Sequence, residues 1–309
     1  MSETGVLSNG NKWPETGIAE DLPTLGETFA NAGWQTVHFG KTHDQGALWG
    51  FVCEPEREVR IAEEEAAFPL NVDSFRDAYT VEAACSFLEK RQDERPLLMV
   101  TDLVNPHNIC GWVGANKGVH ESTECQYPLP PLPENFDFED IENRPAAIRY
   151  ICCTNNRQVQ AAGWTPENFR EYLRAYYYYL SLADHSVGAV LDSLEKNGYT
   201  TENTLFVLMA DHGDSMAAHG LVTKQVNFYE EITRVPMIFK GPGVKPGKQE
   251  GIASLLDLFP TLCGWAGHYG TRGTAWHEID GLLGGGLPGR NMWLVSGIRN
   301  GGIRFLRDV

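Results

Sequence analysis

The sequence has no apolar run that approaches the roughly 20 residues needed for a helix to cross a membrane. Its first residues do not show the basic and then apolar pattern of a secretory signal peptide. No internal repeat is visible either. These absences predict a soluble globular protein without a membrane partner, and they leave its cellular location open.

Positive charge is scarce. The chain carries 25 Lys and Arg against 41 Asp and Glu, which gives a net charge of −16 with histidine neutral, and no basic cluster offsets it. A surface this acidic repels nucleic acid and anionic lipid, so neither is expected as a partner. If the substrate is an anion, a local group of Lys and His side chains must overcome the overall field.

Zinc-finger spacing is absent among the seven cysteines, so a structural zinc site is not expected. An odd number that includes the adjacent Cys152 and Cys153 favours mostly reduced thiols. The hydrophobic fraction of 42% is ordinary for a globular protein. At 309 residues the chain can bury one large core with a small appendage.

Strand patterns that alternate with helix patterns predict an α/β sandwich around a mainly parallel sheet. The run TLFVLMA at 204–210 is apolar throughout, as in a strand buried on both faces of such a sheet. Residues 108–163 are rich in Pro, Gly and Asn and predict a long excursion around a site. Further strands are predicted at 35–39, 97–103 and 236–239, helices at 23–32, 73–90, 165–197 and 254–265, a loop at 44–70, and a C-terminal hairpin from 293–298 and 303–306.

Titratable side chains follow three of these strands, and ligands of such sheets bind beyond the carboxyl ends of the strands. Asp211 and His212 come directly after the apolar strand, and a carboxylate beside an imidazole can bind one divalent cation. Oxygen favours Ca²⁺ or Mg²⁺, whereas imidazole shifts the preference towards Mn²⁺ or Zn²⁺. Taken alone, the pair also fits an Asp that caps a turn and a His that faces solvent.

Lys41 and His43 follow the strand at 35–39, after Gly40. Their spacing of two residues in extended chain puts both side chains on one side. A Lys and a His directed at one place suit an anionic group, with the Lys as fixed charge and the His as acid for a leaving oxygen. A surface lysine is the ordinary alternative.

Two further side chains belong to the same pattern. His107 lies in the loop after the strand at 97–103, and Lys224 lies thirteen residues after Asp211. Singly, a loop histidine is more often structural and a lysine is usually solvated. Together the six side chains predict a cation site ringed by anion-binding groups.

The order and context of these residues resemble the sulfatase family. TLGETFANAGWQTVHFGKTH at 24–43 is similar to the family's helix and strand before a GKWH-like motif. The stretch LFVLMADHGDSMAAHGLVTKQVNFYEEITRVPMIFKGPG at 205–243 resembles its second signature more closely still. NPHNICGW at 105–112 looks like the family's active-site histidine loop, and SLLDLFPTL at 254–262 looks like the helix near the end of its main domain.

The resemblance implies a fold of the alkaline-phosphatase superfamily and hydrolysis of a sulfate ester, either of a carbohydrate or of another small organic sulfate. Family members are often periplasmic or secreted. The resemblance makes Asp211 and His212 ligands of a divalent metal, with Ca²⁺ favoured over Mg²⁺ or Mn²⁺. It assigns binding of the sulfate and protonation of the departing alcohol to Lys41, His43, His107 and Lys224.

The sequence departs from the family before Lys41. Sulfatases carry a Cys or Ser in a C-x-P-S-R motif that is converted to formylglycine, and a pair of Asp metal ligands on the first strand; neither motif precedes Lys41 here. The run CEPER at 53–57 fits C-x-P-x-R, but it follows Lys41, and we interpret the match as coincidence. We therefore expect an incomplete main domain at 1–266 and the beginning of a small antiparallel subdomain at 267–309.

This departure has three expected consequences. The cation binds weakly or not at all, because hard divalent ions usually take about six ligands. The chain by itself has no appreciable sulfatase turnover. An exposed sheet edge favours a homo-oligomer. Two alternatives stay open, namely a phosphate or phosphonate ester hydrolase of the same superfamily and a non-catalytic fragment that keeps the anion pocket.

Overall fold

The structure is a computed structural model that describes residues 18–19, 21–42, 46–54, 72–116, 127–137, 143–224, 227–248, 250–267 and 291–296. Its helices are α1 (Leu25–Asn31), α2 (Val72–Lys90), α3 (Asn108–Ala115), α4 (Ala146–Thr154), α5 (Asn156–Gln160), α6 (Pro166–Lys196), α7 (Glu230–Thr233) and α8 (Leu258–Trp265). Its strands are β1 (Gln35–Gly40), β2 (Val52–Cys53), β3 (Leu97–Asp102), β4 (Thr204–Met209), β5 (Met237–Lys240) and β6 (Asn291–Ser296).

The described strands form one sheet in the order β2-β1-β3-β6-β4-β5. Every neighbouring pair is parallel except β4 and β5, which are antiparallel. The central strands are largely buried, as expected where helices cover both faces of a sheet, and β4 is buried at Thr204 and at the four residues that follow. The predicted α/β sandwich with a mainly parallel sheet is confirmed.

The ends of α6 follow from its local sequence. The Thr165 side chain accepts a hydrogen bond from the Asn168 N–H, and the Asn168 side chain accepts one from the Thr165 N–H, which is a reciprocal N-terminal cap. Pro166 occupies the first helical turn, where its missing N–H is not needed. After Lys196, Gly198 adopts a φ of +84°, the left-handed conformation that ends many helices.

Helices bury apolar side chains on both faces of the sheet. On one face α2 and α6 pack against a cluster that includes Phe39 and Leu208, and on the other α1 and α8 pack against Leu98 and Leu205. Each such fully buried side chain contributes about 1.5–3 kcal/mol relative to an exposed one. A third cluster, centred on Trp112, joins α3 to α6.

The first strand of the predicted C-terminal hairpin is present as β6, but its predicted pairing in a hairpin is wrong. β6 lies in the middle of the sheet, where it pairs in parallel with β3 on one side and β4 on the other. Because both of its edges are occupied, β6 has no edge left for a hairpin partner. The second predicted strand, 303–306, lies outside the described residues, and the division of the chain at residue 266 stays a prediction.

Two predicted loops contain regular structure. The loop at 44–70 includes β2, which extends the sheet by two residues beside β1. The excursion at 108–163 includes α3, α4 and α5. These elements are too short for a periodic pattern to stand out, and α3 is stabilised by packing Trp112 and Val113 against α6.

Among the described helices, none combines the length and apolar character needed to span a bilayer. Association through an edge of the sheet stays a prediction.

Candidate active site

Three of the five parallel strands lead to predicted site residues. The carboxyl ends of β1, β3, β6 and β4 meet at one edge of the sheet, which we call the carboxyl rim. Lys41 follows β1, His107 lies in the loop after β3, and Asp211 and His212 follow β4. At about 4.8 Å per strand, the ends of β1 and β4 lie roughly 14 Å apart. The convergence of these side chains on one substrate stays a prediction.

Of the other two predicted site residues, His43 and Lys224, the structure describes only Lys224. His43 lies outside the described residues, so its role stays a prediction. Lys224 is exposed and follows Thr223, whose carbonyl accepts hydrogen bonds from the Ser215 N–H at 3.1 Å and from the Ser215 hydroxyl at 2.7 Å. Because Ser215 lies just beyond Asp211 in the chain, these bonds return Lys224 towards the turn that carries Asp211.

The Asp211 and His212 side chains converge. His212 Nδ1–H donates to the Gly213 carbonyl at 2.7 Å, which leaves Nε2 facing Asp211 Oδ2 at 3.4 Å. A backbone carbonyl on Nδ1 is one of the partners by which proteins orient a metal-binding imidazole. Two acceptor atoms this close can share one cation, so the pair fits part of a divalent-metal site.

The pair is not a complete cation site within the described part of the chain. No group of three or more His, Cys, Asp or Glu side chains converges there on one cation position. Hard divalent cations usually take six or more oxygen ligands. Asp211 and His212 could supply two of these ligands, and their role as metal ligands stays a prediction.

A close contact between β1 and β3 fixes the backbone before Lys41. The Lys41 N–H donates to the Asp102 carbonyl at 3.0 Å, and a Cβ on Gly40 would lie 2.0 Å from that same oxygen. Gly40 also has a φ of +100°, as the sharp turn predicted after the strand requires. Asp102 Oδ2 accepts a hydrogen bond of 2.8 Å from His38 Nε2, and His38 is fully buried. No pattern in the sequence pointed to this pair.

The loop that carries His107 is held by a carboxylate of α2. Asp77 is 1% exposed, and its two oxygens accept hydrogen bonds from the backbone N–H groups of Val104 at 2.6 Å and Asn105 at 2.9 Å. Asn105 in turn accepts a bond from the Asn108 side chain at 3.0 Å. Sequence reasoning missed Asp77. A signal was present, because this acidic residue stands on the stripe of α2 that also carries the buried Ala84.

Lys41 also lines a groove of about 560 Å³ between β1 and α2. Arg76 and Tyr79 of α2 line the same groove. The groove continues along the strand to Gln35, at the amino end of β1, and so leads away from the carboxyl rim. Only its end near Lys41 belongs to the candidate site.

Cys53 lies far from the cation pair. It ends β2 at the outer edge of the sheet, and three strands stand between β2 and β4. Four strand spacings of about 4.8 Å separate Cys53 from the Asp211 position by roughly 19 Å. This placement supports the interpretation that its C-x-P-x-R match is coincidental.

The fold and the rim together define an α/β protein in which a lysine, a histidine and a carboxylate–imidazole pair each follow a parallel strand at the same rim. A sequence model of the family described as Sulfatase matches residues 1–268. The chain belongs to the sulfatase family, and the predictions of family and superfamily fold are confirmed.

Comparisons with individual proteins agree with this family assignment. The chain is 45% identical over 272 residues to a Delta 4,5-hexuronate-2-O-sulfatase of Bacteroides thetaiotaomicron, an alignment that covers 86% of the chain and 55% of that protein. A solved structure of a 2-O GAG sulfatase matches with a TM-score of 0.78 and 42% identity over 90% of the chain and 60% of its own. A phosphonate monoester hydrolase of Agrobacterium radiobacter, at 17% identity and a TM-score of 0.61 over 81% and 59%, shares the fold. The chain thus spans little more than half the length of these relatives.

Proposed function

We propose that the chain carries part of the catalytic site of an enzyme that hydrolyses a sulfate ester on a sugar, with a 2-O-sulfated hexuronate as the preferred substrate class. The observation that carries the proposal is that Lys41, His107 and the Asp211–His212 pair all follow parallel strands at the same rim. The similarity to a hexuronate-2-O-sulfatase supports the choice of sugar.

Lys41 and Lys224 supply fixed positive charge for the sulfate group. The chain as a whole has a net charge of −16, which repels an anionic sugar, so a local attraction is required. Cations placed in advance where the sulfate binds also stabilise the negative charge that develops as the ester bond breaks. Both lysines therefore act on binding and on the rate.

His107 and His43 are the groups for proton transfer to the departing alcohol. A histidine near neutral pH can hold a proton and donate it to a leaving oxygen within hydrogen-bond reach. His107 is half-buried, and the Asp77 carboxylate fixes the backbone of the loop that carries it. We assign the acid role to His107 first.

Asp211 and His212 would hold the divalent cation, for which we propose Ca²⁺ before Mg²⁺ or Mn²⁺. A bound cation would supply Lewis-acid polarisation of a sulfate oxygen. Formylglycine, the family's nucleophile, is assigned to no residue of this chain. Within the described residues, no group of three or more His, Cys, Asp or Glu side chains converges on one cation position. We therefore propose that the chain by itself binds sulfated sugar without appreciable turnover.

Isothermal titration with an unsaturated 2-O-sulfated hexuronate disaccharide, and with its desulfated counterpart, tests the proposal. The sulfated sugar should bind at least about tenfold tighter, which corresponds to about 1.4 kcal/mol. Lys41→Ala and Lys224→Ala should remove the difference. Lys248→Ala, at an exposed lysine near Glu250, should leave it unchanged.

Two results would overturn parts of this proposal separately. Equal affinity for both sugars would contradict the sulfate-ester assignment. Sulfate release that depends on Lys41 and Asp211, measured by ion chromatography, would support that assignment and overturn the expectation that the chain alone is inactive.

A further inference from the structure

The loop between the cation pair and Lys224 has an unusual backbone. Four of its residues other than glycine have φ values between +48° and +64°, namely Met216, Ala217, His219 and Thr223. Residues with a Cβ rarely adopt this left-handed region, so a loop with four of them must be held by its surroundings. We call residues 214–223 the rim loop.

One tyrosine hydroxyl joins the two ends of the rim loop. Tyr172 of α6 is fully buried, and its hydroxyl donates to Asp214 Oδ1 and accepts a hydrogen bond of 2.8 Å from the Thr223 N–H. The same oxygen of Asp214 accepts a bond of 3.1 Å from the Met216 N–H. Burial, with the Asp214 carboxylate beside it, raises the pKa of Tyr172 well above its usual range. The hydroxyl therefore keeps the proton that it donates.

The predicted excursion holds the middle of the rim loop. The Gln158 side chain of α5 donates to the Gly220 carbonyl and accepts from the Val222 N–H, both at 3.0 Å. The His219 N–H donates to the Asn135 carbonyl at 2.9 Å. Both ends and the middle of the rim loop thus have hydrogen-bond partners outside the loop.

We propose that Tyr172 is a positioning residue that sets the separation between Lys224 and the Asp211–His212 pair. Asp214 stands just after the pair and Thr223 stands just before Lys224, so the tyrosine hydroxyl ties the chain at both points. Tyr172 does not contact substrate in this scheme. By setting this separation, Tyr172 allows one sulfate group to contact Lys224 and the Asp211–His212 pair at the same time. The inference therefore rests on the proposed function.

Hydrogen exchange followed by mass spectrometry tests the structural part without any ligand. Tyr172→Phe removes the shared hydroxyl and should speed exchange across peptides that cover 214–224. Tyr179→Phe, at a buried tyrosine of the same helix, is the matched control and should leave that exchange unchanged. If Tyr172→Phe folds poorly, Gln158→Leu is a second variant. It removes two hydrogen bonds to the same loop. Gln158 is only half-buried, so its substitution disturbs the core less. Unchanged exchange in folded Tyr172→Phe would overturn the inference.

A double-mutant cycle with inorganic sulfate, in the presence of Ca²⁺, tests the positioning role. We expect Tyr172→Phe to weaken sulfate binding about five- to tenfold, and Lys224→Ala to weaken it at least as much. If Tyr172 acts through Lys224, the double variant should bind sulfate no more weakly than Lys224→Ala alone. A purely structural tyrosine would instead give additive losses.

The failures can be told apart. Sulfate binding that depends on Lys224 but not on Tyr172, or that shows additive losses, overturns the inference and leaves the proposed function standing. Sulfate binding that does not depend on Lys224 contradicts the anion site itself, and the inference falls with it.

Discussion

Gly213 packs against Glu231 so closely that a Cβ on the glycine would lie 1.7 Å from the Glu231 carbonyl oxygen. The Gly213 N–H also donates to the Ile232 carbonyl at 2.7 Å. The turn that carries Asp211 and His212 is therefore seated on α7, and the position after His212 accepts no side chain.

Gly213→Ala should destabilise the protein by at least about 2 kcal/mol, because the new methyl group meets backbone that cannot move aside without shifting α7. Urea denaturation measures the loss. Gly251→Ala is the matched control, since a Cβ there would meet no atom within 4 Å, and it should change stability by no more than about 0.5 kcal/mol. Equal effects of the two variants would contradict the packing described here.

Asp77→Asn should lower the free energy of unfolding by about 1–3 kcal/mol, because one of two backbone N–H groups at buried positions loses its acceptor. The loop with His107 should loosen, which proton NMR of the histidine ring would report. Glu202→Gln, at an exposed acidic residue, serves as control for the change in charge. A stable variant with an unmoved His107 signal would show that Asp77 does not hold the loop.

Asp211→Asn and His212→Ala should each reduce Ca²⁺ affinity at least about tenfold, since each removes one of the two converging ligands. Titration calorimetry on the chain, with and without sulfate, provides the measurement. Asp93→Asn is the control. Asp93 lies shortly before the amino end of β3, on the side of the sheet away from the carboxyl rim, so its substitution should have no effect on this affinity. Ca²⁺ binding that survives both rim substitutions would place the cation elsewhere.

The buried hydroxyl of Tyr172 predicts a pH dependence. Its folded-state pKa is raised by burial, whereas an unfolded tyrosine titrates near pH 10. Above about pH 10 the unfolded chain loses this proton while the folded chain keeps it, so stability falls as the pH rises. Between about pH 9 and about pH 11, Tyr172→Phe should lose less free energy of unfolding than the unsubstituted chain. Parallel losses would mean that Tyr172 ionises freely in the fold.

Much of the fold could be predicted because its signals are local. The apolar run of β4, the capping residues of α6 and the glycine at the end of β1 each determine the conformation of only the few residues around them. The same signals placed Lys41 and Asp211 at strand ends. Sequence reasoning could not find β2 or the short helices of the excursion, because packing against distant elements stabilises them.

The family, the alternation of strands and helices, and the places of Asp211, Lys41 and His107 after strands can be read from the sequence. The entry of β6 into the middle of the sheet, the hold of Asp77 on the His107 loop and the tie of Tyr172 to the rim loop became visible only once the chain was folded. The two groups differ in how far apart along the chain the interacting residues lie. Strand order and side-chain contacts between remote segments depend on how the elements pack, whereas periodicity and caps record the preferences of neighbouring residues.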